Sequence, residues 1–317
     1  MKQKLKKVYT LFKEFNFRFS VKWCFYRLTK QYGKYVDLVY NYLCNYLSEE
    51  IDSYNSNIKT IKNLGVVKTV WFCWWQGFDS MPNFCRMCYK QLKKVLTSDI
   101  QLILISKENY RDYTNIPNYI IDKLEKGTIS ITQFSDILRQ SLILENGGMW
   151  IDASVWCNDK IDEIFEWEGE FWSVKLEKPD DPNVWGQVIS QCKWNGFLLG
   201  GLKGSKIYEF VFNSMCKYYK EHDFTIDYFI QNMLIRVAYE NIADIKVAID
   251  KVPTSNRHLY DLYRVMDEPF DLEVWNEYTS NTKFFKLTQK RVYKEFNEGQ
   301  PTFYKYLKEM VDRKIKK

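Results

Sequence analysis

Ser135-Asp136-Ile137-Leu138-Arg139, followed downstream by Gly147-Gly148-Met149-Trp150-Ile151-Asp152-Ala153-Ser154, decides the fold of this chain. Apolar spacing from Thr132 to Glu145 predicts a helix with Phe134, Ile137, Leu138, Ser141 and Leu142 on one face. Asp136, Arg139 and Ile143 fall on the other. Gly147 and Gly148 end that helix, because glycine enters left-handed conformations without a Cβ penalty. Met149 to Asp152 then reads as a short buried strand. It delivers the Asp152 carboxylate at its carboxyl end, where ligands gather in open α/β sheets.

Outward from this segment the texture is strand alternating with helix. Val66 to Trp74 and Ile100 to Ser106 are strand-like, with a helix over Pro82 to Leu96 between them. Pro117 to Glu125 is helical, Phe171 to Leu176 and Gly196 to Leu202 read as strands, and Ser205 to Tyr219 and Ile226 to Tyr239 as helices. The β-α-β order predicts an α/β fold, a parallel or mixed sheet flanked by helices. Three segments are expected: a basic amphipathic helical extension over 1–60, the α/β domain over 61–295, and a basic helical tail over 296–317.

The chain has 317 residues, enough for a full core, and 17% of them are aromatic, which favours order. Residues 1–34 carry ten Lys or Arg against the single acid Glu14, a local +9 that leaves −3 for the rest of a chain whose total is +6. The body therefore lacks the positive field that nucleic-acid binding needs. In the basic segment Leu5, Val8, Phe12, Phe15 and Phe19 recur at helical steps, and Val36, Val39, Leu43 and Tyr46 repeat the pattern. Such a helix either lies on an anionic membrane or packs on the domain with its lysines in solvent.

Eight scattered cysteines and the absence of a secretory apolar region point to reduced thiols and a cytoplasmic protein, peripheral at the inner face of a membrane if the basic helices dock there. Cys85-Arg-Met-Cys88 lacks a second pair or nearby histidines and reads as helix packing. With only His222 and His258 present, mechanisms requiring several histidines are excluded. No run is long enough to span a bilayer, and Val70 to Trp75 reads as a core strand.

An oxygen cluster at Asp152-Ala153-Ser154 suits Mg²⁺ or Mn²⁺, which bridge phosphate oxygens with few protein carboxylates. Asp136 and Arg139, three apart on a helix, are either an intrahelical ion pair or part of the same site. Trp75 competes between core packing and ligand stacking. Gly196, Gly200, Gly201 and Gly204 either let an acceptor approach the backbone or mark a tight turn. Asp227 either faces the acceptor or satisfies a helix N-terminus.

Taken together, Val66 to Gly77 (VVKTVWFCWWQG), Ser135-Asp136-x-x-Arg139 and Gly147 to Ser154 resemble the capsular polysaccharide synthesis proteins. These are similar to the family 32 glycosyltransferases, with their DxD motif on a GT-A fold, and more distantly to the clostridial glucosylating toxins. Ile129 to Phe134 and Phe285-Lys286-Leu287-Thr288-Gln289-Lys290 also fit the capsular group. The resemblance covers roughly residues 60–295. It implies a GT-A-like sheet and transfer of a sugar, with retention of configuration, from a nucleotide-sugar donor such as a UDP-sugar to a saccharide acceptor on a lipid carrier. It also implies roles: Trp75 and Gln76 at the uracil, Asp136 on donor-sugar hydroxyls, Arg139 on sugar or diphosphate, and Asp152, Ser154 and Gln289 around a divalent cation. Ser154 stands where the DxD pattern has its second Asp, which weakens the cation site. The competing functions are a non-catalytic nucleotide-sugar or carbohydrate binder and a nucleotidyltransferase.

Overall fold

The computed structural model describes residues 2–56, 66, 68–158, 161–177 and 185–312. The expected boundary at residue 60 and positions 313–317 of the expected tail lie outside them. Four helices come first, α1 (Lys2–Glu14), α2 (Phe17–Leu28), α3 (Tyr32–Tyr46) and α4 (Ser48–Ser56). The α/β body then alternates β1 (Thr69–Cys73), α5 (Asn83–Val95), β2 (Gln101–Ile105), α6 (Asn118–Glu125), α7 (Ile131–Asn146) and β3 (Gly148–Ile151). β4 (Val155–Cys157), β5 (Trp172–Ser173), α8 (Trp185–Ser190), β6 (Leu198–Gly201), α9 (Lys206–Glu221) and α10 (Ile230–Asn241) follow. Strand β7 (Phe284–Lys286) comes late in the chain, and the last helix is Phe303–Asp312.

The main sheet has the order β2-β1-β3-β6-β5. Its first three strands are parallel, with Val70 opposite Leu102 on one side and Met149 on the other, because helical crossovers connect β1 to β2 and β2 to β3. β6 runs antiparallel to β3, and β5 antiparallel to β6, so the sheet is mixed. β1 is buried on both faces through Phe72, as its unbroken Thr-Val-Trp-Phe run requires. This mixed α/β architecture agrees with the sequence reading and is consistent with a GT-A-like fold.

α7 is started by a capping box, in which Gln133 N donates to Ser130 Oγ at 3.3 Å and Ser130 N to Gln133 Oε1 at 3.1 Å. The expected two-faced pattern does not hold: residues from Phe134 to Ile143 are buried around the helix, Ser135 alone excepted. The reason is that α7 lies between the sheet and α9. Its end is forced by Gly147 at φ 75° and Gly148 at φ 94°. A Cβ on Gly148 would collide with the Thr69 carbonyl oxygen, so β3 enters the sheet only through a residue without a side chain. Gly200 and Gly201 do not mark a turn; they lie mid-sheet, where a Cβ would strike the Phe165 ring and the Glu170 carbonyl.

The single apolar stripe expected along residues 5–19 is also split. Asn16 caps α2 by accepting from Phe19 N at 2.9 Å, and the break turns Leu11, Phe15 and Phe19 inward while Val8 and Phe12 stay exposed. Val36, Val39, Leu43 and Leu47 are buried as their spacing predicts, and Tyr46 is half-buried. These residues belong to the same apolar cluster as the sheet and as Phe303 and Leu307 of the last helix. Cys85 and Cys88 are buried free thiols on α5, and burial pushes Cys85 up to about 12, so neither is a reactive thiolate. No helix among the described residues is long and apolar enough to cross a membrane.

Candidate active site

Parallel pairing places Phe72 of β1 beside Ile151 of β3, so the segments leaving the two strands emerge side by side at the carboxyl edge of the sheet. The β1 exit carries Trp74, Trp75 and Gln76, held by Trp74 N to Ile105 O at 3.0 Å and Lys107 N to Trp75 O at 2.9 Å. These residues open a cleft of about 500 Å³ lined by Trp75, Gln76, Lys107, Tyr110, Arg111 and Ile131, among others. That volume lies within the range of small-ligand sites. Trp75 is half-buried at the cleft wall. Its ring packs edge-on against Phe134 at 4.7 Å and against Tyr110 at 5.1 Å, and it also lines the cleft.

The β3 exit carries Asp152, on which a network of charges converges. Arg139 Nη2 lies 3.2 Å from Asp136 Oδ1 and 3.2 Å from Asp152 Oδ1. Trp150 Nε1 donates to the same Asp152 oxygen at 2.8 Å, and the Arg139 guanidinium sits 5.0 Å from the Trp150 ring centroid. The second Asp152 oxygen receives Lys286 Nζ at 3.1 Å, and that ammonium also donates to Ser154 Oγ at 2.9 Å. Arg139 Nη1 is further committed to the Gly196 carbonyl. Asp136, Arg139, Asp152 and Ser154 are thus brought together as one group, with Trp75 and Gln76 in the cleft at the neighbouring strand exit.

Exposure separates the members of the network. The side chains of Arg139 and Asp136 are 7% and 11% exposed, those of Asp152 and Lys286 26% and 22%. The first pair is the buried support, and the second faces solvent. Burial raises the Asp136 carboxyl to about 7, with Asp152 adding to the effect and Arg139 opposing it. Burial acts on Asp152 in the same direction, but Lys286, Arg139 and the Trp150 N–H outweigh it and hold Asp152 below the usual carboxylate range, so it stays an anion.

Sequence reasoning passed over Lys286, although it lies inside the Phe285 to Lys290 motif, and chose Gln289 three positions later. Gln289 is exposed, and its Oε1 accepts from Cys85 Sγ at 3.0 Å. The signal for Lys286 is long-range: β4 and β7 pair antiparallel with Val155 opposite Lys286, which folds the lysine over Asp152 and Ser154. Asp227 lies just ahead of the start of α10, as the helix-terminus reading has it. It is buried, accepting from Tyr35 Oη at 2.7 Å and from Phe229 N at 2.6 Å.

The side chains as placed do not fit a resident divalent cation. Asp152 is a single carboxylate whose two oxygens already face an arginine and a lysine, and the Ser154 hydroxyl meets the same ammonium. Among the described residues, no group of three or more His, Cys, Asp or Glu is disposed to hold a metal ion.

Residues 20–307, which include every member of this site, match the model of the capsular polysaccharide synthesis proteins. The chain belongs to that family. No curated protein matches it. Membership places the protein in capsular polysaccharide synthesis, and the match takes in most of α2 and all of α3 and α4 as well as the α/β body.

Proposed function

We propose that this capsular polysaccharide synthesis protein is a glycosyltransferase that moves a hexose or acetamido-hexose from a UDP-sugar to a saccharide acceptor, carried on a lipid. The observation that supports this reading best is the partly exposed Asp152–Lys286 pair at the strand exit beside the aromatic cleft. In this reading the base stacks on Trp75, next to Gln76, and the diphosphate reaches Lys286. The Lys286 ammonium is the fixed cation that meets charge developing on the departing phosphate, a role in which a preorganised charge is worth several kcal/mol. Asp152 and Ser154 hold that ammonium, and Asp136 supports Arg139 from behind. Arg139, spent on its protein partners, fixes both carboxylates rather than touching the diphosphate. In this reading Tyr228, 54% exposed, carries an acceptor sugar on its ring.

The acceptor hydroxyl oxygen bonds to the anomeric carbon as the bond from that carbon to the phosphate oxygen breaks. The electron pair leaves with UDP, and the hydroxyl proton passes to the departing phosphate oxygen. This same-face course retains configuration and needs no protein nucleophile. The test is product mass across a panel of sugar nucleotides and saccharide acceptors, with released nucleotide identified and with Mn²⁺, Mg²⁺ and chelator arms. Transfer with UDP release supports the reading, and Asp152→Asn should lower it by about 10³-fold at unchanged melting temperature. Release of pyrophosphate means nucleotidyl transfer. Full activity of Asp152→Asn defeats the site assignment.

A further inference from the structure

We infer that the outer face of α1 and α2 is a docking surface for an anionic lipid bilayer. The observation is an amphipathic helix with apolar residues on both sides. The inner side of α2 is anchored: Phe19 and Ser20 are buried, and Trp23 Nε1 donates to the Ile226 carbonyl at 2.9 Å. On the outer side Phe17, Val21, Phe25 and Leu28, spaced by helical turns along one stripe, are 75%, 42%, 53% and 83% exposed. Phe12 of α1 extends the stripe, its ring centroid 5.8 Å from that of Phe17. Large aromatic and aliphatic side chains concentrated on one solvent-facing strip mark a contact site rather than ordinary surface scatter.

Charge identifies the occupant. Lys13 and Arg18, next in sequence to Phe12 and Phe17, and Lys30, two positions after Leu28, are exposed. The one acid among the first 34 residues, Glu14, is turned away, its carboxylate accepting from Asp223 N at 3.1 Å and Phe224 N at 3.0 Å beside His222. Among the described residues of α1 and α2, the outer face therefore carries basic side chains and no acid. A second copy of this chain would bring the same +9 segment against itself, whereas an anionic bilayer takes the apolar strip into its interface and the lysines into its headgroups. The surface is peripheral, since no described helix is long and apolar enough to cross a membrane. It also differs from the stripe read in the sequence, because Phe15 and Phe19 are core residues and Phe17, Phe25 and Leu28 take their place.

The test is co-sedimentation of the full chain with vesicles of phosphatidylcholine alone and of phosphatidylcholine mixed with phosphatidylglycerol. The expected result is partition onto the anionic vesicles only, reversed by salt. It should fall about tenfold or more in F17S/F25S/L28S and in K13E/R18E/K30E. All of these are exposed positions, so melting temperatures should match the parent. Hydrogen exchange on the unmutated protein should slow over residues 12–28 when anionic vesicles are added. The inference is overturned if the parent stays in the supernatant, if F17S/F25S/L28S binds like the parent, or if phosphatidylcholine alone binds equally. It is also overturned if the serine substitutions abolish a dimer seen in sedimentation velocity while vesicle binding is nil.

Discussion

Two buried clusters of charge, with Tyr219 facing Asp136 of one and Asp227 of the other, are finished differently. Beneath the N-terminal helices, Asp227 is 1% exposed and takes the Tyr35 hydroxyl and the Phe229 amide, while Glu14 takes two backbone amides and faces His222. At the carboxyl edge of the sheet, the Asp136–Arg139–Asp152–Lys286 network opens to solvent at Asp152 and Lys286. Arg139 Nε there is buried with no hydrogen-bond partner among the described residues. The first cluster closes the packing of α2 and α3 on the body. Each cluster holds a buried nitrogen without a hydrogen-bond partner among the described residues, His222 Nδ1 in the first and Arg139 Nε in the second, so it is the solvent-facing Asp152–Lys286 pair that gives the second the character of a binding site.

Lys286→Met should break this contrast most severely. It removes the cation proposed to meet the leaving group, so turnover should drop by about 10²–10³-fold, roughly 3–4 kcal/mol, with little change in melting temperature. Lys286→Arg should restore part of it. A loss of stability equal to the loss of turnover would make the lysine structural, like the N-terminal cluster. Gly148→Ala tests the scaffold of the same site: with φ at 94° and the Thr69 oxygen in the way of a Cβ, it should cost about 3 kcal/mol in a denaturant melt. Tyr35→Phe probes the closed cluster. Loss of a charge-assisted hydrogen bond to buried Asp227 should cost about 2 kcal/mol of stability while leaving turnover of the folded enzyme unchanged. A turnover defect there would erase the distinction between the two regions.

The strand and helix alternation was legible because β1, β3 and α7 are written in local patterns: an apolar run, a glycine pair and apolar residues at helical spacing. Their boundaries moved by one to three residues at most sites, as strand ends depend on partners. Asp136, Arg139 and Asp152 were legible as a group because chain neighbours delivered them to one edge. Lys286 was not, since it reaches Asp152 from 134 positions away through the pairing of β4 with β7. The outer strip of α2 was missed for a different reason. One capping residue, Asn16, resets the helical phase between Phe15 and Phe17, and periodicity read across that break assigns the wrong face.

The smallest effect is the one that separates the two clusters by sign. Asp136 is raised by burial from an ordinary 3.8 to about 7, so the folded protein holds a proton that the unfolded chain releases. Its contribution to stability is fully present below pH 3.8 and is lost as pH rises to about 7. His222 runs the other way. Burial lowers its imidazole below the ordinary 6.5, against the pull of Glu14 and Glu221 and with Lys123 assisting, so its contribution is present above pH 6.5 and lost as pH falls through the folded value. Asp136→Asn should therefore flatten a decline of melting temperature on the approach to pH 7, whereas His222→Gln should flatten a decline on acidification. Thermal melts of the parent and both variants across this range give two difference curves, which should slope in opposite directions. Parallel curves would mean that neither group titrates as its surroundings dictate, and the closed and open clusters would then be electrostatically alike.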